Sequence, residues 1–361
     1  MRCCISGRLQ VAISLTWPAP LHLGVRVGLL LLKCPMARFE KPFLPVAQQI
    51  SLLCSRGMVI TDIAKAESCL ARIGYYRLSA YWYPFRKSEP FIDPVTGQKK
   101  TRILDAFRPG TNFSDILELY VFDKKMRLLV LDALERVEIA VRTDIALLLG
   151  QHSPTAHRDP SLLHGNFARR VDPKIRLTLH RDWLSRVDHS FARSKEDFVV
   201  HFKNKYAGSD LPIWMSVELW DFGALSHFYA GLTIKDRATI SQRYGVISPG
   251  VLETWLRCLN DIRNICAHHA RLWNRPRPSQ PKLPALGELP NLDHLHKLPS
   301  GALARLYPGL AILQVLLKVI NPASSWSKRL GEHVATLPRT PVVNLASAGF
   351  PANWQALPLW K

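Results

Sequence analysis

The chain has 361 residues, enough for one large domain or for a main domain with a smaller one attached. Apolar residues at 47% and charged residues at 21% are the balance of an ordinary soluble globular protein. The 48 Lys and Arg against 28 Asp and Glu leave a charge of +20, which favours polyanionic partners, either nucleic acid or an acidic membrane surface.

Residues 1–35 carry Arg2, Arg8, Arg26 and Lys33, no acidic residue, and an apolar patch over 27–32. Pro18, Pro20 and Arg26 interrupt that patch, so it does not read as a secretory signal, and no run reaches the length of a membrane span. Met36-Ala-Arg-Phe-Glu40 is the more natural beginning, and 1–35 is expected to be a non-native or disordered extension. Without it the balance is 44 − 28 = +16, so the basic character persists. Seven cysteines, odd in number and with no Cys-x-x-Cys pair, read as reduced thiols of a cytoplasmic protein.

An N-terminal helical segment is expected over 36–100. Val46, Ile50, Leu53 and Cys54 recur at helical spacing before Arg56-Gly57. Thr61 or Asp62 can cap a second helix whose apolar positions are Ala64, Ala66, Cys69, Leu70 and Ile73. An aromatic run follows from Tyr75 to Phe85, and then Pro90, Pro94, Gly97, Lys99 and Lys100 predict a loop.

A helical core is expected over 101–275. Its longest helix spans 114–149, buried along Ile116, Leu119, Met126, Val130, Leu134, Val137 and Val141, with Glu138 and Arg142 four residues apart. After a polar connector to about 170, helices are predicted near 174–187 and 195–206, then an apolar one over 213–229. Ser248-Pro249-Gly250 announces a helix over 251–273. Six prolines from Pro276 to Pro299 open a Pro-rich linker, closed by a helix at 310–320, and 321–361 reads as an irregular tail. No segment shows strand alternation flanked by hairpin signals, so the fold class is all-α, a helical bundle.

The chemistry concentrates in the 251–273 helix. At about 100° per residue, Leu252, Trp255, Leu259, Ile262, Cys266, His269 and Trp273 share one face. The opposite face gathers Glu253, Arg257, Asn260, Asn264, His268, Arg271 and Arg275, with Arg263 at its flank. An amphipathic helix always has a wet side, but such a side ordinarily mixes Lys with Glu, whereas this one collects Arg, Asn and His. Arginine grips phosphate oxygens with a fork of donors, and histidine exchanges protons near neutrality. Asn264 can hydrogen-bond a ring nitrogen or a phosphate oxygen. These are the parts needed to cut RNA without a metal: His268 would move the proton of the 2′-hydroxyl or of the leaving 5′-oxygen, and Arg263 would hold charge on the scissile phosphate.

Arg263-Asn-Ile-Cys-Ala-His268 fits the Arg-x4–6-His motif of HEPN ribonucleases, and the string from Leu259 to Arg275 resembles the signature of the Abi-like (AbiD/AbiF) abortive-infection family of that superfamily. Lys41-Pro-Phe-Leu44, Tyr75-Tyr-Arg-Leu-Ser-Ala-Tyr81, Tyr120-Val-Phe-Asp-Lys124, Glu135-Arg-Val-Glu-Ile-Ala-Val-Arg142, Leu211-Pro-Ile-Trp-Met-Ser-Val-Glu218 and Phe222-Gly-Ala-Leu-Ser226 keep the family's order over about 40–275. Residues 1–35 match nothing in it. The resemblance implies a HEPN-type bundle, a homodimer whose motif helices meet, and metal-independent endoribonuclease activity leaving 2′,3′-cyclic phosphate ends. It also implies a toxin role in phage defence, with an antitoxin or phage trigger as further partners and no cofactor.

Other candidates have bland counterparts. Glu138, Arg142 and Asn260 could support Arg263 and His268, or form a structural pairing. Arg271, Arg275, Arg277 and Lys282 continue the basic stripe and are the expected RNA-backbone contacts, against simple surface solvation. The Tyr75–Tyr83 cluster reads as core or interface, with base stacking as its alternative. Cys258, Cys266, His268 and His269 lack a second pair at metal-ligand spacing, so no metal is expected. Two other functions compete: a non-catalytic RNA-binding or protein-interaction module, and a peripheral membrane protein resting on the basic charge and apolar amino end.

Overall fold

Apolar side chains spaced three and four apart drive most of this chain into helix, and the computed structural model, which describes residues 42–361, is built mainly of helices. Residues 1–35 lie outside the described residues. The rest falls into two units, one of residues up to Tyr75 together with Arg86–Thr111, the other of Tyr76–Phe85 and Asn112–Lys361.

The first unit holds α1 (Val46–Ser55), α2 (Ile63–Ile73) and a hairpin of β1 (Arg86–Ile92) and β2 (Lys99–Phe107). Asp62 caps α2 by accepting from the Lys65 amide, and Gly74 leaves it with φ 92°, a left-handed value that needs glycine. The hairpin replaces the expected loop. Its strands pair antiparallel from Ile92 opposite Lys99 to Ser88 opposite Ile103, with a bulge before Arg86 meets Phe107. Asp93 makes the turn: its Oδ1 accepts from the amides of Val95 and Thr96, and Gly97 follows at φ 66°. Pro90 misled the reading, because a two-stranded sheet consists of edges, where proline is tolerated.

The second unit is helical around α4 (Phe113–Gly150). It begins with α3 (Tyr75–Trp82, apart from its first residue). After α4 come α5 (Gly165–Ala168), a minimal hairpin of β3 (Val171–Asp172) and β4 (Leu177–Thr178), α6 (Leu179–Arg193) and α7 (Asp197–Lys205). The series continues with α8 (Ile213–Ser216), α9 (Phe222–Gly231), α10 (Ile234–Arg243), α11 (Pro249–Ala267), α12 (Leu306–Ile320) and α13 (Trp326–Val334). α4 packs against α11, α12 and α13, and α11 packs against α9. The expected helix 213–229 is broken between α8 and α9, because Asp221 caps α9 by accepting from the Ala224 amide. The 321–361 segment is more ordered than its prolines suggest. It contains α13, and Phe350, Trp354 and Trp360 gather around Tyr307 of α12 with ring centroids 4.9–6.4 Å from it. Where α12 crosses α11, Gly309 is required by space: a Cβ there would overlap Cδ1 of Ile262.

One buried acid ties the motif region together. Asp123 of α4 is 0% exposed and accepts from the Tyr81 hydroxyl (2.7 Å), the Arg127 guanidinium (2.5 Å) and the amides of Leu272 (3.1 Å) and Trp273 (2.7 Å). It thereby joins α3, α4 and the chain just after α11. No helix among the described residues is long and apolar enough to cross a membrane.

Two measurements test this packing. Asp123→Ala strands Arg127 and two backbone donors in the core, and is expected to lower the unfolding free energy by about 3–5 kcal/mol in denaturant titration. His157 is buried with no partner at Nδ1, and burial, aided by Arg158, pushes its pKa down to about 4. The unfolded chain therefore binds the extra proton first. Stability is expected to fall by roughly 2–3 kcal/mol as pH drops from about 6.5 to about 4, and His157→Gln should flatten that slope.

Candidate active site

The motif helix α11 starts at Pro249, where the missing amide of proline costs nothing, and buries Leu252, Trp255, Leu259, Ile262 and Cys266 as its periodicity predicts. Its end departs from expectation. The helix stops at Ala267, six residues short of the predicted 273. His268 is the cap, and His269 turns left-handed at φ 55°. The His269 amide donates to the Cys266 carbonyl and the Ala270 amide to that of Ile265, the paired bonds of a Schellman turn. Glycine usually fills this position; histidine is among the side chains that tolerate it.

This turn corrects the placing of His269. Once the helix ends, the 100° rule no longer carries its ring to the core face, and both His268 and His269 are exposed. Cys266 and His269 therefore do not share a face. Cys266 is buried and its thiol is pushed up to about 12, chiefly by burial. Among the described residues no group of three or more His, Cys, Asp or Glu side chains could hold a metal ion.

Five predicted residues converge beside α11. The Arg263 guanidinium lies 3.5 Å from Oδ1 of Asn264, whose Nδ2 lies 3.4 Å from Oδ1 of Asn260. From α4, Glu138 accepts from Arg142 at 2.5 Å, and Arg142 also donates to the Trp220 carbonyl at the break between α8 and α9. Burial pushes the Glu138 carboxyl above the ordinary carboxylate range, against the pull of Arg142 and Arg263. The start of α9 passes close to Asn260, whose Oδ1 would lie in ordinary contact, 3.6 Å, from a Cβ at Gly223. Arg263, Glu138 and Arg142 line an open groove of about 580 Å³ together with Leu131, Leu134 and Ile139.

The remaining predicted residues lie apart from that groove. His268 stands five residues beyond Arg263, about 7.5 Å along the helix and about 140° around it. Arg275 and Lys282 are exposed. Arg271 is half-buried and donates to the Ala80 carbonyl; burial depresses its guanidinium, and Arg275 and Arg305 add to the effect. Arg277 does not fit the role of an RNA contact. It is 4% exposed, beside Sγ of Cys258 (2.5 Å), and donates to the carbonyls of Leu303 and Arg305, because the chain after α11 folds back under α12.

Sequence reading missed Arg77 of α3, which donates to the His269 carbonyl at 2.7 Å. No periodicity could reveal a partner 192 residues away.

The turn is open to a direct check. Because φ 55° suits glycine, His269→Gly should match or exceed the parent in stability, by up to about 1 kcal/mol, whereas His269→Val should lose about 1–2 kcal/mol in urea titration.

Comparison with curated proteins and with solved structures finds no match. Residues 68–274, more than half of the chain, match the family described as Abi-like protein. That span takes in α4, the groove and the whole of α11, and on it the chain belongs to the Abi-like protein family.

Proposed function

We propose that this chain is an abortive-infection effector that cuts RNA without a metal, working as a homodimer of HEPN-type bundles in the cytoplasm. The observation that carries this reading is the setting of the motif. Arg263 faces an open groove with Asn264 and Glu138 beside it, while His268 stands exposed at the helix end. A phosphate in the groove would meet a guanidinium suited to its oxygens, and an accessible imidazole is the group fitted to carry the proton.

The angular separation of Arg263 and His268 within one helix favours a site completed by a second copy. Leu128, Ile139 and Leu147 of α4 and Trp214 of α8 are exposed apolar residues flanking the groove. A second copy docked on this band would bring its own motif helix toward the first. In the reaction the 2′-oxygen attacks phosphorus and the 5′-oxygen departs. One His268 takes the 2′ proton, and the other, protonated, returns a proton to the leaving oxygen. The products are a 2′,3′-cyclic phosphate and a 5′-hydroxyl. Glu138 and Arg142 hold Arg263 in place. An antitoxin or a phage-derived trigger would govern when the toxin acts.

The same separation supports a second reading, an RNA-binding module without cleavage, should the copies not meet. The two readings part on one experiment. With purified protein in EDTA, Arg263→Ala and His268→Ala are each expected to reduce cleavage by about a hundredfold or more while circular dichroism stays unchanged, and fragments should end in cyclic phosphate. Equal cleavage by parent and variants would sink the enzyme reading, and salt-sensitive binding without products would leave only the module.

A further inference from the structure

Tyr76 is 88% exposed, more than any other tyrosine among the described large apolar residues that face solvent. It sits on α3, whose other face is buried through Leu78, Tyr81 and Trp82. Its neighbour Arg77 donates to the carbonyl of His269, so α3 is pinned to the turn that carries His268. One turn further along α3, the Ala80 carbonyl accepts from Arg271. The ring is therefore carried on the helix that Arg77 ties to the turn bearing the exposed imidazole.

The charge around it is mainly positive, with buried Asp123 acting on Arg271. Arg77, Arg271 and Arg305 spend their hydrogen bonds on the carbonyls of His269, Ala80 and Asn274, and none of these bonds goes to a carboxylate. Arg275 is exposed nearby. The one acid of this region, Asp123, is buried and already bound to Arg127, Tyr81 and two amides. An exposed aromatic face amid exposed arginines whose hydrogen bonds go to main-chain carbonyls is the arrangement that holds single-stranded nucleic acid, with bases on rings and phosphates on guanidinium groups.

We propose that Tyr76 is a base-stacking subsite of the RNA site, that Arg77 and Arg275 take the adjoining phosphates, and that the substrate class is therefore unpaired RNA. A base inside a duplex has no free face to lay on the ring. This inference rests on the reading of the chain as an RNA enzyme, deepens it by naming the substrate class, and gives the α3 aromatic run a role in binding.

The test uses the full chain carrying His268→Ala, which removes the proton carrier and leaves the ring. Binding is measured by fluorescence anisotropy for a short labelled oligoadenylate, for the same strand in a duplex, and by competition with inorganic polyphosphate, a polyanion without bases. Tyr76→Ala is expected to weaken oligoadenylate binding by about tenfold and to leave duplex and polyphosphate binding unchanged, while Tyr76→Phe restores the parent affinity. Arg275→Ala should weaken oligoadenylate and polyphosphate alike. In the chain with His268 intact, Tyr76→Ala should raise KM for single-stranded RNA more than it lowers kcat. Equal losses on all three probes, or none on oligoadenylate, overturn the subsite. A parent that cuts RNA, with Tyr76→Ala binding and cutting as well, removes the subsite and leaves the nuclease. A parent that binds oligoadenylate through Tyr76 but leaves it intact supports the subsite and removes the chemistry. A parent with no affinity for oligoadenylate overturns both.

Discussion

The second unit depends on the charge of Asp123. A carboxylate with no exposure is costly in a protein interior unless donors surround it, and here a hydroxyl, a guanidinium and two backbone amides do so. Burial pushes this carboxyl up, and Arg127, Tyr81 and the amides of Trp273 and Leu272 oppose that push. Burial and Asp123 together raise the Tyr81 hydroxyl, so the tyrosine keeps its proton and donates. The two amides belong to the chain leaving α11. A non-helical segment, whose amides would otherwise go unsatisfied in the core, is thereby given its partners by a helix that lies far from it in sequence.

That arrangement explains why the motif region divides in two. The groove half, with Asn260, Arg263 and Asn264, is built on regular helix, and Glu138 and Arg142 of α4 line the same groove as Arg263. The turn half, with His268 and His269, is built on irregular backbone held by Asp123 from below and by Arg77 at the His269 carbonyl. The groove half is set by side-chain packing between helices. The turn half is set by hydrogen bonds to main-chain atoms, and the choice of residue there is governed by backbone conformation as much as by chemistry.

The sequence was most legible where a helix is long. The 38-residue α4 agrees with its predicted span to within a residue at each end, and the buried face of α11 agrees as far as Cys266. It was least legible where a local turn competes with periodicity. Pro90 concealed a hairpin whose second strand runs from exposed to buried without alternation, and Asp221 broke an apolar run that reads as continuous. The end of α11 carries neither glycine nor proline, so a pattern of spacing ran past it and assigned His269 to the core. Arg277 reads as a surface charge because a fold-back after the helix leaves no periodic trace. The groove was legible in its members. The angle between Arg263 and His268 was legible in the spacing, whereas the groove that holds the one without the other was not.

The close passage at Gly309 has a mechanical consequence. With Ile262 packed where a side chain would otherwise stand, α11 cannot roll about its own axis without driving its apolar face into the backbone of α12. The backbone position from which Arg263 projects, next to Ile262, is thereby fixed around the helix axis. Beyond Ala267 that constraint ends, and the chain is held instead by main-chain hydrogen bonds of the turn.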